Sequence, residues 1–305
     1  MFRTLFIKLS ESAFLRKIAE DSSLGKRVSS RFVAGTTVED ALQAASELNR
    51  ANIRFSLDYL GENVSRESEA RENQILYRDL LSKIAERELD GNASMKLTQM
   101  GLDSSSELAA SITADLTSHA ASLDTFLRVD MEGSEYTERT LEIVREVHSR
   151  DGNAGHIGAV IQSYLYRSEA DIRDLCARGI RVRLCKGAYK EPAEIAWQDK
   201  SKVDENFVSL MKILLESGVY HGIATHDERM IDATIAFARE RDIAPNAFEF
   251  QMLYGIRRDL QERLVSEGWN MRVYVPFGGE WYPYFMRRLA ERPANALFIL
   301  RNLFR

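Results

Sequence analysis

The sequence predicts an α/β fold, a closed (βα)8 barrel of the TIM type, formed by a chain of 305 residues. Short apolar or β-branched runs recur at regular intervals, segments with helical periodicity lie between them, and no linker rich in Pro, Gly or Ser divides the chain. Eight strand–helix units in succession favour a closed parallel barrel over an open doubly wound sheet. We expect a single domain over residues 1–305, with extra N-terminal helices in 1–50 and the barrel in 51–305.

Eight runs have the composition of buried parallel strands, because apolar and β-branched residues fill them and turn residues bound them. The predicted strands lie near Ile53–Leu57, Ala93–Leu97, Thr125–Asp130, His156–Ser163, Arg181–Cys185, Tyr220–Thr225, Phe248–Met252 and Met271–Val275.

The segments before and between the strands carry apolar stripes at the spacing of amphipathic helices. In the first of them the stripe runs from Val38 to Leu48. Thr36 precedes it and Glu39 lies three residues after Thr36, which is the pattern of a capping box. Further helices are marked by Leu141, Val144 and Val147, by Phe207, Leu210, Met211, Leu214 and Leu215, and by Met230, Ala233, Thr234 and Phe237.

The N-terminal segment MFRTLFIKLSESAFLRKIAE is predicted to form an amphipathic helix. Charges at Lys8, Glu11 and Arg16 interrupt its apolar residues too early for a secretory signal. We expect this helix to pack on the domain, and contact with a membrane surface is the alternative. The apolar and basic segment ALFILRNLFR near the C-terminus raises the same two alternatives. The chain has no run of 18 apolar residues, so no membrane-spanning helix is predicted.

Charge and cysteine content exclude several classes of protein. The formal net charge of −5 provides no basic field, so we expect no nucleic-acid partner. Cys176 and Cys185 form no CxxC motif and lack the spacing of metal ligands. We therefore expect reduced, buried thiols, as is usual for a cytoplasmic protein.

The C-terminal ends of the predicted strands are polar. Barrels of this type place their chemistry at those ends, where side chains from different strands meet. Burying many charges without partners would cost several kcal/mol each, so a shared site explains the pattern better than separate rim residues do. The residues at these ends are Lys96, Asp130, Gln162, Arg183, Lys186, Thr225, His226 and Tyr274.

Two other patterns do not predict sites. The segment Gly152-Asn-Ala-Gly155-His-Ile-Gly158 has the spacing of a dinucleotide fingerprint, but it precedes a strand instead of following one. His226 stands next to Asp227, with His221 nearby, yet the five histidines form no HxH or HxxxH pair. We therefore expect no metal site.

The helix predicted after the last strand carries adjacent arginines, Arg287 and Arg288, among aromatic residues. Two neighbouring guanidiniums near the end of a strand are suited to binding a small carboxylate in a bidentate manner. The alternative is a solvated helix face, on which an Arg287–Glu291 pair would contribute only about 0.2–0.5 kcal/mol.

These residues lie in an ordered series of motifs through which the chain resembles the monofunctional proline dehydrogenases, FAD-dependent enzymes of proline catabolism. The resemblance covers nearly the whole chain from about Arg31 onward. The segments that carry it are Leu57-Asp-Tyr-Leu-Gly-Glu62, Met95-Lys-Leu-Thr98, Arg128-Val-Asp-Met-Glu132, Val160-Ile-Gln-Ser-Tyr-Leu165, Arg183-Leu-Cys-Lys-Gly-Ala-Tyr189, Ala224-Thr-His-Asp227, Phe248-Glu-Phe-Gln-Met-Leu-Tyr-Gly255 and the arginine helix.

The resemblance implies a distorted (βα)8 barrel that holds FAD non-covalently at its C-terminal end, with the last helix over the active site. It also implies oxidation of L-proline to Δ1-pyrroline-5-carboxylate, with hydride transfer to FAD and electrons passed to a membrane quinone. We accordingly expect a cytoplasmic protein, with peripheral contact to the inner face of the cell membrane as an alternative. Because no aldehyde dehydrogenase segment follows, we expect a separate pyrroline-5-carboxylate dehydrogenase to act on the product.

The motifs also imply roles for individual residues. Asp130 and Arg183 are the implied catalytic residues, with Arg183 against the reactive flavin nitrogen. Glu62 is the implied gate, which pairs with the first arginine and closes the site. The implied substrate-binding residues are Lys96, Arg287 and Arg288 at the carboxylate, with Tyr274 and Leu253 at the ring.

The implied FAD contacts come from four strand ends. They are Met131, Gln162, Arg183, Lys186, Gly187, Ala188, Tyr189, Thr225 and His226. One position departs from the bifunctional relatives, which tend to carry an aromatic residue after the Gly-Ala-Tyr, whereas Lys190 stands there in this chain.

Two other functions fit parts of the sequence. Lys96 and Lys186 lie where barrel lysines form imines, so a Schiff-base lyase or aldolase is one alternative. A catalytically silent flavin or proline sensor is the other. The presence of Lys96, Asp130, Arg183 and both arginines argues against loss of activity.

Overall fold

The strands form a closed barrel in which each strand is parallel to its neighbours and the order follows the sequence from β1 to β8. The computed structural model describes residues 30–61 and 63–291, except for the side chains of 287–291. The strands are β1 Arg54–Tyr59, β2 Gly91–Met95, β3 Leu127–Val129, β4 Ile157–Gln162, β5 Arg181–Cys185, β6 Gly222–Ala224, β7 Glu249–Leu253 and β8 Met271–Phe277.

Helices alternate with the strands, which confirms the predicted TIM-type fold. The helices are α1 Val38–Arg50, α2 Glu67–Glu86, α3 Ser106–Ser122, α4 Ser134–His148, α5 Ser168–Ala177, α6 Lys200–Glu216, α7 Glu228–Glu240, α8 Arg258–Ser266 and α9 Trp281–Glu291, and a 3-10 turn spans Leu97–Met100.

All eight predicted strands are present, and β5 has the predicted bounds. The strands β3 and β6 have three residues each and are shorter than predicted. In β3, only Leu127–Val129 lies opposite partners on both neighbouring strands. Composition therefore located these strands, whereas their length depends on how far the neighbouring strands overlap.

The cap of α1 differs from the prediction by one residue. The hydroxyl of Thr37 accepts a hydrogen bond from the N–H of Asp40, whose carboxylate in turn accepts from the N–H of Thr37. The predicted pair, Thr36 and Glu39, is wrong because the Glu39 carboxylate instead binds the guanidinium of Arg87.

Both cysteines are free thiols, and both are half-buried, so the prediction that they are buried is wrong. Cys185 is the last residue of β5, where the barrel opens. Burial nevertheless raises the pKa of the Cys185 thiol to about 12. The thiol is therefore protonated at neutral pH and a poor nucleophile.

The helix α9 packs beside the C-terminal end of β1. Its residues Trp281 and Phe285 form a buried cluster with Phe32, Val33 and Leu60. Leu60 directly follows β1, so α9 lies at the end of the barrel that carries the polar strand ends. The amphipathic segments predicted at the two chain ends lie outside the described residues. Among the helices that are described, none has the length and hydropathy needed to cross a bilayer.

Polar side chains also fill the barrel interior away from its C-terminal end. Ser56 on β1 and Ser94 on β2 share a hydrogen bond of 2.8 Å between their hydroxyls. Arg272 on β8 pairs with Glu249 on β7 at 2.6 Å. The interiors of such barrels are usually filled by Val, Ile and Leu. Buried polar groups persist only when they are hydrogen-bonded, so this layer forms a connected network.

The observed cap yields a test of the fold. Thr37→Ala removes the acceptor for the Asp40 N–H and should lower the free energy of unfolding by about 1 kcal/mol. Urea unfolding measures the loss. Thr36→Ala is the matched control, because the described contacts of Thr36 with the cap use its backbone N–H. Equal losses in the two variants would contradict the assignment of Thr37 as the cap.

Candidate active site

The centre of the site is an ion pair between two strand ends. Arg183 Nη1 on β5 lies 2.6 Å from Asp130 Oδ1, which directly follows β3. The hydroxyl of Tyr274 on β8 donates to the other oxygen of Asp130 at 2.9 Å. The Arg183 guanidinium also lies 5.2 Å from the centre of the Tyr274 ring. The structure thus brings together three of the predicted residues from three strands.

The remaining contacts of Arg183 come from inside the barrel. Its Nε donates to Gln251 Oε1 at 2.5 Å, and its Nη2 donates to Ser94 Oγ at 3.0 Å and to Ser56 Oγ at 3.4 Å. A guanidinium has five N–H groups, and four of them have partners among the described residues. The side chain is only 8% exposed, so its charge acts in a medium of low effective dielectric constant.

A second ion pair lies beside the first. Lys96, which directly follows β2, places its Nζ 3.5 Å from Oδ2 of Asp58 on β1. The Asp58 side chain is 1% exposed, and the polar groups beside its carboxylate are the Lys96 ammonium and the Tyr274 hydroxyl. A fully buried carboxylate with this few partners is unusual, because such groups normally satisfy their lone pairs. Sequence reasoning did not assign Asp58 to the site.

Electrostatics around this pair shift two pKa values upward. Burial, with a further contribution from the negative charge of Asp130, raises the pKa of Asp58 to about 6, although Lys96 opposes the shift. Burial and the charges of Asp130 and Asp58 raise the pKa of the Tyr274 hydroxyl well above its ordinary value. Tyr274 therefore remains a proton donor to a carboxylate at any physiological pH.

Lys186, which follows β5, lies in a separate charge cluster. Its Nζ is 2.5 Å from Asp204 and 2.8 Å from Asp227. Arg229 contacts the same two carboxylates. Although burial opposes it, hydrogen bonds from Arg229 and Lys186 lower the pKa of Asp227 to about 2. The cluster holds two cations and two anions, so it is electrically balanced.

A histidine side chain links the ends of β6 and β7 through a hydrogen bond. His226 accepts a hydrogen bond at its Nε2 from the backbone N–H of Leu253 at 2.9 Å. The preceding residue, Thr225, is buried, and its hydroxyl accepts from the N–H of Asp227 at 3.1 Å. The structure therefore brings Leu253 and His226, a predicted substrate contact and a predicted cofactor contact, into direct contact.

The predicted contacts on β3 and β4 are buried. Gln162 is the last residue of β4, and its Nε2 donates to the carbonyl of Glu132 at 3.0 Å. The Glu132 carboxylate accepts from both the N–H and the hydroxyl of Thr98, which fixes the turn after Lys96. Met131 belongs to the main hydrophobic core.

The loop after β5 is exposed at Gly187, Ala188 and Tyr189, and Lys190 is exposed as well. Gly187 has φ +115, and a Cβ there would lie 2.5 Å from the ring of Tyr164. Both the backbone conformation and the space therefore require glycine at this position. The described contact that excludes a side chain here is with Tyr164, and the role of Gly187 as a cofactor contact stays a prediction.

Three predicted site residues cannot be placed. Glu62 lies outside the described residues. Arg287 and Arg288 belong to the helix α9, but their side chains also lie outside the described part. Their roles stay predictions.

Asp58 and Gln251 are the residues that sequence reasoning missed. Each is a buried polar residue that alternates with apolar residues along its strand, Asp58 in RFSLDY and Gln251 in EFQML. A polar residue that interrupts a strand buried on both faces is a usable signal, because burial without partners is unfavourable.

The raised pKa of Asp58 yields a prediction for stability. Its unfolded value is 3.8 and its folded value is about 6. Between those values the folded protein binds more protons than the unfolded chain, so the free energy of unfolding falls as pH rises. Asp58→Asn removes this pH dependence. Between about pH 4.5 and about pH 7.5, the free energy of unfolding of the variant should therefore rise by about 2 kcal/mol relative to that of the wild type.

Urea unfolding at several pH values measures this difference. Asp151→Asn, at an exposed position, is the control for loss of one negative charge. If the Asp58→Asn and wild-type curves run parallel across this range, Asp58 does not titrate there.

Known proteins resemble this chain over its length. The family profile described as proline dehydrogenase matches residues 41–301. Proline dehydrogenase 1 of Bacillus subtilis is 43% identical over 307 residues, which cover 100% of this chain and 100% of that protein. Proline dehydrogenase of Deinococcus radiodurans is 37% identical over 312 residues, covering 100% of this chain and 98% of that protein.

Solved structures support the fold. The crystal structure of proline utilization A from Bdellovibrio bacteriovorus inactivated by N-propargylglycine matches 95% of this chain with a TM-score of 0.84 and 24% identity. This chain spans 36% of that longer protein. The profile match and the identity to relatives of the same length show that the chain belongs to the proline dehydrogenase family.

Proposed function

We propose that this protein oxidises L-proline to Δ1-pyrroline-5-carboxylate, with FAD as its bound cofactor and a membrane quinone as the final electron acceptor. The observation that carries the proposal is the convergence of Lys96, Asp130, Arg183 and Tyr274 at one end of the barrel in a member of this family. Peripheral membrane contact and a separate enzyme acting on the product are parts of the same proposal.

The groups at the ends of β4, β5 and β6 fit a flavin. A flavin ring presents carbonyl oxygens and ring nitrogens along one edge, so it needs hydrogen-bond donors and favours nearby positive charge. Gln162, Arg183 and Thr225 supply an amide, a guanidinium and a hydroxyl on consecutive strands. Met131, Lys186, Gly187, Ala188, Tyr189 and His226 are the other residues that would hold FAD.

When bound, FAD supplies the two-electron acceptor for the hydride that leaves the carbon next to the proline nitrogen. Arg183 would contribute a fixed positive charge beside the flavin. Asp130 and the barrel interior hold its guanidinium in position before substrate arrives, so little reorganisation is needed during the reaction.

Cations bind the substrate carboxylate in this proposal. Lys96 directs its ammonium into the site from the end of β2, while Arg287 and Arg288 approach from α9 and Glu62 closes the site. Tyr274 and Leu253 flank the ring. The negative charge of Asp58 on β1 attracts the Lys96 ammonium. This pairing restricts the position of the ammonium and leaves it positively charged.

The proline nitrogen must lose a proton before the hydride can leave. Proline binds as a zwitterion, and burial in the site disfavours a charged amine. The site therefore favours the neutral form of the proline nitrogen. Excluding water strengthens this effect, because charges are less screened in a closed site.

The lysine-based alternatives receive less support. A lysine that forms an imine must be a neutral amine. Both candidates are instead ion-paired, Lys96 with Asp58 and Lys186 with Asp204 and Asp227. Only a turnover assay distinguishes a catalytically silent flavin sensor from the proposed enzyme.

The absorption spectrum tests the proposal directly. Purified protein should be yellow with the bands of oxidised flavin, and L-proline added without oxygen should bleach them. A quinone analogue should then restore the colour. A colourless protein that is trapped by borohydride with a carbonyl substrate would favour the lyase, and a yellow protein that proline does not bleach would favour the sensor.

The carboxylate clamp is tested by Arg288→Lys. This change keeps the charge but removes the bidentate fork. Losing a hydrogen bond to a charged group should raise KM for L-proline about ten- to a hundredfold, with bound flavin unchanged. Arg258→Lys on α8 is the matched control. Unchanged proline kinetics in Arg288→Lys would remove Arg288 from the clamp.

A further inference from the structure

We propose that Gln251 and Glu249 are positioning residues, which hold the Arg183 guanidinium in its working orientation through a hydrogen-bond chain inside the barrel. The inference rests on the proposed function, in which Arg183 lies against the flavin. Neither residue reaches the strand ends where ligands would bind, so both would act through Arg183.

Strand register places these residues in one row. Arg183 on β5 lies opposite Gly222 on β6, and Gly222 lies opposite Glu249 on β7. Gly222 has no side chain, so a gap separates Arg183 from Glu249. Gln251 is two residues beyond Glu249 and points to the same face of its strand. Its amide occupies this gap, because a Cβ at position 222 would collide with its Nε2 and lie 2.8 Å from its Cδ.

The Gln251 amide joins a cation to an anion. Its Oε1 accepts from Arg183 Nε at 2.5 Å, and its Nε2 donates to Glu249 Oε1 at 2.6 Å. The reversed amide would set its NH2 against the guanidinium and its oxygen against the carboxylate. Both contacts would then be repulsive, so the two charges determine the orientation of the amide.

Glu249 is itself held firmly. Its Oε1 also accepts from Arg272 Nε at 2.6 Å, and its Oε2 accepts from the Tyr220 hydroxyl at 2.9 Å. Burial raises the pKa of this carboxyl, but the charge of Arg272 and the hydrogen bonds outweigh burial, so the net shift is downward. Glu249 is therefore an anion at neutral pH and a constant acceptor for the amide.

The hydrogen-bond chain from Glu249 through Gln251 restrains Arg183 at a different nitrogen from the one that Asp130 binds. Asp130 binds Nη1, Gln251 binds Nε and the two serine hydroxyls bind Nη2, so all three nitrogens of the guanidinium have partners. With the Gln251 contact removed, only Asp130 and the two longer serine contacts hold the guanidinium, so its plane can shift. A displacement of about 1 Å in a catalytic group can lower the rate about 10²-fold.

Two variants break the chain in different ways. Gln251→Met keeps the length of the side chain but removes the amide. Gly222→Ala keeps every polar group but drives the amide out of the gap. Asn153→Leu is the matched control, because Asn153 is a buried amide between α4 and β4, at the opposite end of the strands.

We expect kcat to fall by up to about 10²-fold in Gln251→Met and Gly222→Ala, with KM for L-proline changed less than about threefold. The reduction potential of the bound flavin should become more negative, because a displaced positive charge stabilises the reduced cofactor less. Flavin content and melting temperature should match those of Asn153→Leu, whose kcat and potential should equal the wild-type values.

Wild-type kcat and potential in both variants would overturn the inference. Loss of flavin or melting temperature beyond the control, with unchanged kcat per bound flavin, would also overturn it, because it would show a purely structural role. Wild-type protein that lacks flavin or proline turnover would instead refute the proposed function, which the same measurements reveal before any variant is made.

Discussion

The ion pair between Arg183 and Asp130 is the interaction on which the rest of the site depends. Taking two charges out of water costs several kcal/mol per ion unless additional hydrogen bonds satisfy the remaining donors and acceptors. In this barrel those bonds come from Gln251, Ser94 and Tyr274. The pair therefore requires a polar interior, and that interior requires partners on several further strands.

The same requirement explains how the neighbouring charges are arranged. Lys96 pairs with Asp58 across β1 and β2, and Arg272 pairs with Glu249 across β7 and β8. Each of these cations thus lies against a carboxylate. Replacing such pairs with packed apolar residues is often neutral or stabilising in proteins, so stability alone does not account for their presence. A fixed, balanced set of charges, at the C-terminal strand ends and in the barrel interior beneath them, is what a site for a zwitterion and a flavin needs.

Sequence reasoning predicted the barrel because strand and helix periods are local properties, readable from a few consecutive residues. It grouped Lys96, Asp130, Arg183 and Tyr274 for a general reason, since the C-terminal ends of parallel strands meet at one end of a barrel. Its errors were also local in origin. The capping box could begin at Thr36 or Thr37, and only the contact of Glu39 with Arg87 decides between them.

The sequence by itself determined the order of elements, the strand ends that carry charge and the family resemblance. The tertiary structure decided which charges pair. Asp58 lies far from Lys96 in the sequence, and strand register brings the two side chains together. Gln251 lies far from Arg183, and strand register together with the space over Gly222 brings its amide to the guanidinium. Register and space are properties of the closed barrel, because they depend on how neighbouring strands align, which no single segment specifies.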